Sequence, residues 1–544
     1  MILRTATSLY RKPMGFILFI KIQMVRLGLR SGCSVALLII FFHGDLRAQE
    51  TLLQTNKVRI KQIKLTGNSV ISTEELEPIL NSYVDQEMDY LLLQKVAEDI
   101  TEEFRKRGFS LARAYLPQQE IYHGRVEIAV LEGRVGDIIV KGNKHYSSDF
   151  IRKGFTRVID DKAIKHNSVE KSLLLLNEYP DLRVTAVLEA GKEPGTTDIV
   201  ASVEDKLPLH GAVDYNNFGT NYVSKHRFGV ELSLGKFLVV EGSSLTMRGL
   251  IGAKTSELHY GTASYLMPLN NYGTKLGFSA QGGVFSVGNE FAELGITGNS
   301  FGYAINASHP FVKSRFAGLS GEFGFYSTDT KQTLLDEPYS LDKIRALKAG
   351  LNYSRTDVGG RSLLGFYIFQ GLGNNLGGME NNDPQSSRLG ADNRFRKFNL
   401  QLARVQRLGE HVSLLWKASA QASNNSLVAG EQFYLGGADS VRGYPQGEYL
   451  GDDGYNVSTE IRLFPLPDKE MLQLLFFLDH GGVSTKKPSP GTKSYYHLTG
   501  VGYGLRLKLP YQIGARFDVG FPIQPTKTSS GERPALTIQV EIKF

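Results

Sequence analysis

The nine C-terminal residues, Leu536–Phe544 (LTIQVEIKF), alternate strictly between apolar and polar side chains. Residues 512–521 (QIGARFDVGF) show the same alternation, as do residues 501–509 and 227–234. Successive side chains of a β-strand point to opposite faces, so each segment is predicted to be a strand with one apolar and one polar face. Charged residues and glycines concentrate on the polar face.

Two architectures satisfy strands of this kind. A soluble sandwich buries the apolar faces against each other, whereas a membrane barrel turns them to lipid and lines a watery lumen with the polar faces. Several of the runs reach about ten residues, which favours the barrel. The terminal Phe544 also resembles the C-terminal aromatic residue of outer-membrane barrels. Residues 207–544 are therefore predicted to form a transmembrane antiparallel β-barrel of about 16 strands, wide enough to enclose water.

Long polar stretches between the strands are predicted to be outer-surface loops. These stretches are Ser286–Ser300, Thr328–Asp342 and Gly373–Arg394.

The net charge of +7 and the pI of about 9.0 first suggest a nucleic-acid partner. However, residues 1–48 carry seven basic residues and one acidic residue, so only +1 remains without them. Residues 1–48 are predicted to be a secretory signal peptide, since their apolar run Cys33–Phe42 is too short to span a bilayer. No nucleic-acid partner is predicted.

The rest of the chain has few features that decide its location. Cys33 is the only cysteine, so the processed chain is predicted to have no disulfide and no cysteine metal site. From Gln49 onward no apolar run approaches the length of a transmembrane helix. A signal peptide without such a helix leaves soluble export, a lipid anchor or a membrane β-barrel.

The N-terminal part contains a repeat at an offset of 75 residues. Ile63–Asn68 (IKLTGN) matches Ile138–Asn143 (IIVKGN), and both end in a Gly-Asn turn. Residues 57–134 and 135–206 are each predicted to be an α+β domain with the order strand, helix, helix, strand, strand. Ser72 and Glu75 form a capping box, and Asn167 with Glu170 resembles one.

The two domains resemble POTRA domains of the haemolysin-activator type. The matching residues in the first unit are Gly108-Phe109, Ala112–Gln119, Gly124 and Glu132-Gly133-Arg134, and those in the second include Leu176-Asn177, Pro180 and Pro194-Gly195. The alternative is an unrelated pair of small α+β domains. The resemblance implies a periplasmic module that meets unfolded clients, and a strand edge could accept a client strand. The predicted client-binding residues are Ala112, Arg113, Ala114, Tyr115 and Leu116.

One long polar stretch, Glu431–Gly454 (EQFYLGGADSVRGYPQGEYLGDDG), lies between strand-like segments. Arg442 is near its centre, and Asp479 lies inside a later strand-like segment, Phe477-Leu478-Asp479-His480-Gly481. A guanidinium and a carboxylate can form a bidentate, charge-assisted pair. We therefore expect the loop to fold back into the barrel, although a solvated Arg442 on an ordinary outer loop has the same spacing.

Val441-Arg442-Gly443-Tyr444 resembles the long loop of two-partner secretion outer-membrane transporters, of the haemolysin activator and filamentous haemagglutinin transporter type. The resemblance covers about residues 57–544 and implies that the loop enters the lumen. It also implies that Arg442 contacts the Asp of an F-x-D-x-G strand. The implied loop lock consists of Arg442, Gly443, Tyr444, Phe477, Asp479 and Gly481.

The same resemblance implies the protein's setting. The barrel lies in the outer membrane of a Gram-negative bacterium, among outer-membrane lipid, with the POTRA domains in the periplasm. The client is a secreted exoprotein, expected to be large and β-helical, and the barrel-assembly machinery inserts the transporter itself. Family members often carry a plug helix before the first POTRA domain. Here only Gln49 to Lys57 are available, so no plug is expected and the inserted loop would close the pore.

No catalytic constellation is recognisable, so no enzyme activity, cofactor or metal site is predicted. The eleven histidines are scattered, and Asp452-Asp453-Gly454 is more typical of a turn than of a calcium loop. Three functions remain open: a transporter for an unfolded exoprotein, an assembly factor that inserts barrel proteins or lipids, and a passive porin. Assembly factors usually carry three or more POTRA domains, and a porin carries none.

Overall fold

The computed structural model describes residues 57–524, 529 and 531–544. The predicted signal peptide and the segment that would hold a plug helix lie outside the described residues. Within these ranges, no helix has both the length and the apolar content needed to cross a bilayer.

The first unit is a small α+β domain. Its elements are β1 (Val58–Arg59), β2 (Gln62–Thr66), α1 (Thr73–Asn81), β3 (Glu87–Met88), α2 (Tyr90–Lys106), β4 (Arg113–Tyr115) and β5 (Arg125–Leu131). One sheet has the order β2-β5-β4, and β1 pairs with β3. The helical stripe of α2, which includes Val96, Ile100 and Phe104, is fully buried against this sheet.

The second unit repeats the plan. Its elements are β6 (Arg134–Lys141), α3 (Ser148–Lys153), α4 (Thr156–Asp160), α5 (His166–Leu176), β7 (Leu182–Ala190) and β8 (Thr196–Asp205). Its sheet has the order β6-β8-β7, with β6 parallel to β8 as β2 is parallel to β5.

The repeat extends to individual atoms. Gly67 and Gly142 both have positive φ, and both Asn68 and Asn143 donate from Nδ2 to the carbonyl oxygen three residues later, at 3.0 and 2.8 Å. Both turns are followed by a serine cap. Ser72 accepts from Glu75 N–H at 3.3 Å, as predicted. The prediction of a cap at Asn167 is wrong, because α5 already begins at His166 and Asn167 lies inside the helix.

In the described part of the chain, sixteen antiparallel strands close into a barrel, as predicted. The strands are β9 (Leu209–Asn216), β10 (Arg227–Gly235), β11 (Ser244–Gly252), β12 (Leu258–Pro268), β13 (Lys275–Ser286), β14 (Thr297–Lys313), β15 (Ala317–Leu334), β16 (Glu337–Asp357), β17 (Gly360–Gly371), β18 (Arg396–Arg407), β19 (Val412–Ser423), β22 (Asp453–Leu463), β23 (Leu472–Ser484), β24 (Tyr495–Leu509), β25 (Ile513–Pro522) and β26 (Ala535–Lys543). A separate hairpin, β20 (Phe433–Leu435) and β21 (Tyr449–Gly451), lies between β19 and β22.

The alternating faces are sorted as a membrane barrel requires. Phe301, Phe323 and Phe476 are 60%, 59% and 55% exposed on the outer face, whereas Asp479 and Asp518 are at most 1% exposed on the inner face. A soluble sandwich would have buried the phenylalanines instead.

The prediction of a loop at Thr328–Asp342 is wrong. β15 and β16 run through that stretch for 18 and 21 residues and leave only residues 335 and 336 between them. At roughly 3.3 Å per residue these strands are far taller than the apolar band of an outer membrane. Their outer ends therefore face water and carry polar side chains, so their composition is similar to that of a loop.

The second unit docks on the barrel's periplasmic turns. Glu178 accepts from Lys275 Nζ at 2.8 Å and also pairs with Lys313. Ser147 donates from N and Oγ to the Glu241 carboxylate, each at 2.6 Å. These contacts join the second unit to three turns of the barrel and fix its position below the lumen.

Candidate functional site: the loop in the barrel lumen

The connection between β19 and β22 turns inward. Its β20–β21 hairpin lies against β22 and β23, and Leu435 is completely buried there. A Cβ placed on Gly481 would lie 2.5 Å from Leu435 Cδ1. The absence of a side chain at Gly481 therefore provides the space that Leu435 of the loop occupies.

Arg442 forms a bidentate pair with Asp479. Its Nε donates to Oδ2 at 2.6 Å, its Nη2 donates to Oδ1 at 2.8 Å, and its backbone N–H donates to Oδ2 at 3.1 Å. Arg442 is 3% exposed and Asp479 is completely buried. Three hydrogen bonds, two of them from the guanidinium, thus hold the loop to a lumen-facing residue of β23.

A second carboxylate shares the same guanidinium. Arg442 Nη1 lies 2.9 Å from Glu460 Oε1, without the alignment of a hydrogen bond, and Nη2 donates to Ser458 Oγ at 3.2 Å. Glu460 also accepts from Arg462 Nε and Nη2 at 3.0 and 2.7 Å. Sequence reasoning missed Glu460 and Ser458, although the alternation of β22 places both on the face that looks at the lumen.

Phe477 supports the arginine from one side. The guanidinium carbon lies 3.5 Å from the centre of the Phe477 ring, which is 4% exposed. A cation over an aromatic face is attracted more strongly where water is excluded. The ring needs its own space, since a Cβ on Gly502 would lie 2.4 Å from Phe477 Cζ.

Gly443 allows the loop backbone to touch the wall. Its φ is +98°, and a Cβ on the facing Gly520 would lie 2.4 Å from the Gly443 nitrogen. A Cβ on Gly500 would lie 1.9 Å from the Arg442 carbonyl oxygen. Any side chain at Gly500 or Gly520 would displace the loop, so these two wall glycines belong to the site.

Tyr444 anchors the loop beyond the arginine. Its ring is 4% exposed and packs with Leu435, Val441 and Val483. Its hydroxyl is hydrogen-bonded, 3.0 Å from the carbonyl oxygen of Thr499 and in contact with the Gln524 side chain.

A neighbouring ion cluster contacts the loop tip. Asp518 of β25 accepts from Arg506 Nη1 at 2.6 Å and from Arg516 Nε at 2.8 Å. Arg516 Nη1 also donates to Asp439 of the loop at 2.8 Å. The sequence assigned no specific role to Arg506 or Arg516, since lumen walls are generally polar.

The five predicted client-binding residues lie at β4, an edge of the first sheet. Ala112 and Ala114 are buried, and Ala114 N–H donates to Thr101 Oγ1 of α2 at 2.9 Å. Leu116 packs against the domain core. Only Arg113 and Tyr115 therefore present exposed side chains to a partner.

In the described ranges, no group of three or more His, Cys, Asp or Glu residues converges as metal ligands do. The two aspartates of the possible calcium loop already have partners. Asp452 accepts from Lys486 N–H at 2.6 Å, and Asp453 accepts from Ser423 N–H at 2.7 Å. The expected turn is not found at Asp453 and Gly454, because both residues begin β22, and the two carboxylates bind backbone groups of neighbouring segments.

Comparisons with known proteins agree with this architecture. The family model of the haemolysin secretion/activation protein ShlB/FhaC/HecB matches residues 195–507, and that of the ShlB-type POTRA domain matches residues 58–133. The heme/hemopexin transporter protein HuxB of Haemophilus influenzae is 26% identical over 466 residues, covering 83% of this chain and 81% of its own. The outer membrane transporter CdiB of Dickeya dadantii is 21% identical, covering 90% and 88%.

Solved structures show the same fold. CdiB from Escherichia coli superposes with a TM-score of 0.75 at 19% identity, covering 91% of this chain and 92% of its own. The family match spans more than half of the chain, and both named relatives are transporters, CdiB one of the outer membrane. This chain therefore belongs to the ShlB/FhaC/HecB haemolysin secretion/activation family and is a two-partner secretion transporter of the outer membrane, with its POTRA domains in the periplasm.

Proposed function

We propose that this transporter receives one exoprotein, or a few, in unfolded form and passes it through the barrel without nucleotide hydrolysis or any enzyme activity of its own. The observation that carries the proposal is the inserted loop, which is bound inside a closed barrel by the buried pair Arg442–Asp479. Sixteen strands enclose a lumen wide enough for an extended chain.

The second POTRA unit offers this client a free strand edge. β7 lies at the edge of its sheet. Asn177 accepts from Val184 N–H at 2.8 Å and donates to Val184 O at 2.9 Å, so the backbone groups of Val184 point away from β8. By strand alternation, those of Ala186, Leu188 and Ala190 point the same way. An extended client strand can pair there, and the Asn177 amide marks where this pairing stops.

This edge leads toward the lumen. At one end of β7, Asp181 lies 2.6 Å from His210 of β9, in the barrel. Beyond the other end, Gly195 accepts from Arg134 N–H at 2.9 Å, where the two units join. Val187 is 57% exposed along the edge. A client strand on β7 would run from the first unit to the barrel mouth, and Arg113 and Tyr115 of β4 would contribute side-chain contacts upstream.

In this proposal Arg442 and Asp479 lock the loop in its resting position. Removing either partner would leave a buried charge without its main partner, which costs roughly 3–5 kcal/mol. Gly443, Tyr444, Phe477 and Gly481 shape the seat, and the lock keeps the pore narrow until a client displaces the loop.

The remaining partners follow from the same architecture. We propose that the client is large and β-helical, so that its folding outside the cell supplies the driving force. The barrel's exposed aromatic face contacts outer-membrane lipid, and the barrel-assembly machinery inserts the transporter. Family membership and the two POTRA units support these partners.

The experiment compares a deletion strain with its parent by proteomics of medium, cell surface and outer membrane. We expect loss of one or a few exoproteins from surface and medium, with normal levels of other outer-membrane barrels. Broad loss of barrels would instead identify an assembly factor. A photo-crosslinking residue at Val187 or Tyr115 should capture the client, whereas one at Lys95, on the exposed side of α2, should not.

A further inference from the structure

The connection between β17 and β18, residues 372–395, also folds back into the barrel. We call it the outer lid. It forms an apolar cluster with the inner face of β16 and with the segment that leads into the inserted loop. Members of this cluster are Ile344, Met379, Ala391, Phe395, Leu427 and Val428, none more than 6% exposed.

Asp452, at the end of the inserted loop, connects the outer lid to two other segments. Its carboxylate is completely buried and pairs with Arg388 of the outer lid. The same carboxylate accepts from Leu427 N–H at 2.7 Å and from Lys486 N–H at 2.6 Å. Arg388 in turn donates to Leu427 O at 3.0 Å and to Lys486 O. One ion pair thus joins the outer lid, the inserted loop and the connection between β23 and β24.

The start of the inserted loop is held in a similar way. Glu431 pairs with Lys397 of β18 at 2.5 Å, and the Tyr326 hydroxyl donates to Glu431 Oε2 at 3.1 Å. Gln421 Nε2 donates to both Glu431 O and Asp452 O, at 3.0 and 3.1 Å. One amide therefore ties the two ends of the loop to each other. The Glu431 carboxylate ties the start of the loop to the barrel wall, and the Asp452 carboxylate ties its end to the outer lid.

These contacts mean that the loop and the outer lid cannot move independently. If the loop withdraws from Asp479, β21 moves with it. Asp452 is then displaced as well, because it directly follows β21. If Asp452 moves, Arg388 loses its carboxylate and the outer lid loses a charge-assisted anchor. The apolar cluster and the hydrogen bonds to β16, such as that from Ser387 N–H to Asp342 Oδ1 at 2.9 Å, would then hold the outer lid over the lumen.

We propose that the Arg388–Asp452 pair is a latch that closes the outer mouth of the pore and couples the outer lid to the inserted loop. Arg388 and Asp452 are positioning residues for secretion, distinct from the Arg442–Asp479 lock deeper in the lumen. The role of these two residues in secretion rests on the proposed function. The closing of the pore does not depend on a client.

Single-channel recording of the purified full-length protein in planar bilayers tests the latch without a client. Arg388→Ala should raise the open probability roughly tenfold, the factor expected from losing a charge-assisted hydrogen bond to a buried carboxylate. Asp452→Asn should raise it too, because the amide carries no charge and keeps only one of the two oxygens that accept from Leu427 N–H and Lys486 N–H. Arg394→Ala is the matched control, since this outer-lid arginine is exposed. Open probabilities of Arg388→Ala and Asp452→Asn equal to that of Arg394→Ala would overturn the latch.

A disulfide tests whether the outer lid must move. Ser387 Oγ accepts from Ala429 N–H at 3.3 Å, so these two positions are in contact and Ser387→Cys is combined with Ala429→Cys. The natural cysteine, Cys33, lies in the predicted signal peptide. Oxidation of the double variant should block secretion and lower conductance, and a reductant should restore both, whereas the oxidant should change neither property in the single-cysteine variants. Normal conductance and secretion with the disulfide formed would overturn the latch. If oxidation lowers the conductance of the purified double variant but the parent strain secretes no client, the latch is supported and the proposed function is overturned.

Discussion

Two walls of the same lumen differ in chemistry. On the loop wall, formed by β22 to β25, the inward side chains are charged and buried beneath the inserted loop, among them Glu460, Asp479 and Asp518. On the neutral wall, formed by β12 to β14, most inward positions of the alternation hold uncharged residues, and Lys275 at the periplasmic end of β13 is paired with Glu178. The uncharged residues include Thr262, Ser264, Ser279, Gln281, Ser300 and Asn306.

The difference shows what the lumen charges are for. A general preference for polar lining would distribute charge around the whole barrel. Instead the loop-wall charges are paired with each other or with the loop, as Arg516 is with both Asp518 and Asp439. Gln281 of the neutral wall is exposed. Inward charges on other strands are paired as well, such as Arg248 with Asp214 and Lys348 with Glu322. The neutral wall is the side of the lumen that offers few charges to a passing chain.

The strongest test of this contrast is Asp479→Ala. The change leaves Arg442 buried with only Glu460 as a carboxylate partner, and losing a buried pair costs roughly 3–5 kcal/mol. Secretion should fall by about 100-fold or more while the barrel remains in the outer membrane, measured by client in the medium and by heat-modifiable migration. Gln281→Ala on the neutral wall should change secretion less than about twofold. Equal losses from the two variants would remove the distinction between the walls.

A smaller but still large effect is expected from Gly520→Val. Its Cβ would lie 2.4 Å from the Gly443 nitrogen, so the loop must shift off the wall. Secretion should fall roughly tenfold, and channel conductance should rise, since overpacking costs about 1–3 kcal/mol. Gly514→Val in the same strand is the control, because no atom lies within 4 Å of the added Cβ. A Gly520→Val transporter with wild-type conductance would show that the loop does not rest there.

Phe477→Leu should have a moderate effect. Leucine keeps most of the buried apolar volume but removes the aromatic face 3.5 Å from the Arg442 guanidinium carbon. A desolvated cation–π contact is worth about 2 kcal/mol, which would lower the thermal stability of the purified barrel. Phe476→Leu, on the lipid face of the same strand, should leave stability nearly unchanged. The two variants melting alike would argue against the aromatic support of Arg442.

The smallest expected effect concerns the ion pairs at the barrel mouth. Burial disfavours the charged form of Glu178, but the Lys275 and Lys313 ammonium groups outweigh it and hold the pKa of Glu178 below its ordinary value of 4.5. A lowered pKa means that the stabilisation is fully present above the ordinary value and is lost as the pH falls through the lowered one. Glu178→Gln should therefore cost about 1 kcal/mol near neutral pH, and little in strong acid.

Thermal unfolding of wild type and Glu178→Gln, from neutral pH to strong acid, would measure the difference in stability between them at each pH. Glu193→Gln is a control, because this glutamate is exposed in the connection 191–195 between β7 and β8 of the same unit. A stability gap that widens in acid would have the wrong sign for this account.

The sequence predicts much of this fold because strands have an unambiguous period. Alternation in segments such as Leu536–Phe544 is enough to identify lipid-facing and lumen-facing residues. The prediction fails at Thr328–Asp342, where tall strands leave the membrane and lose their apolar face. The composition of a segment reflects whether its side chains face water or lipid, and it does not show whether the backbone is paired in a strand.

The residues of the candidate site could also be predicted only in part. Arg442 and Asp479 could be paired in advance because each belongs to a recognisable short motif. Glu460 could be placed on the lumen face but not assigned to Arg442, since that choice depends on the path of the loop. Arg388 belongs to no recognisable motif, and the motif around Asp452 does not indicate its partner. They meet because two connections fold inward, which periodicity does not encode.

The measurement closest to the central claim is a double-mutant cycle on the free energy of unfolding of the purified barrel. Arg442→Ala and Asp479→Ala are made separately and together. If the loop is bound in the lumen by this pair, the double variant should lose less stability than the two single losses added, by about 2 kcal/mol or more. Losses that add to within about 0.5 kcal/mol would show that the two residues act independently, and would contradict the account.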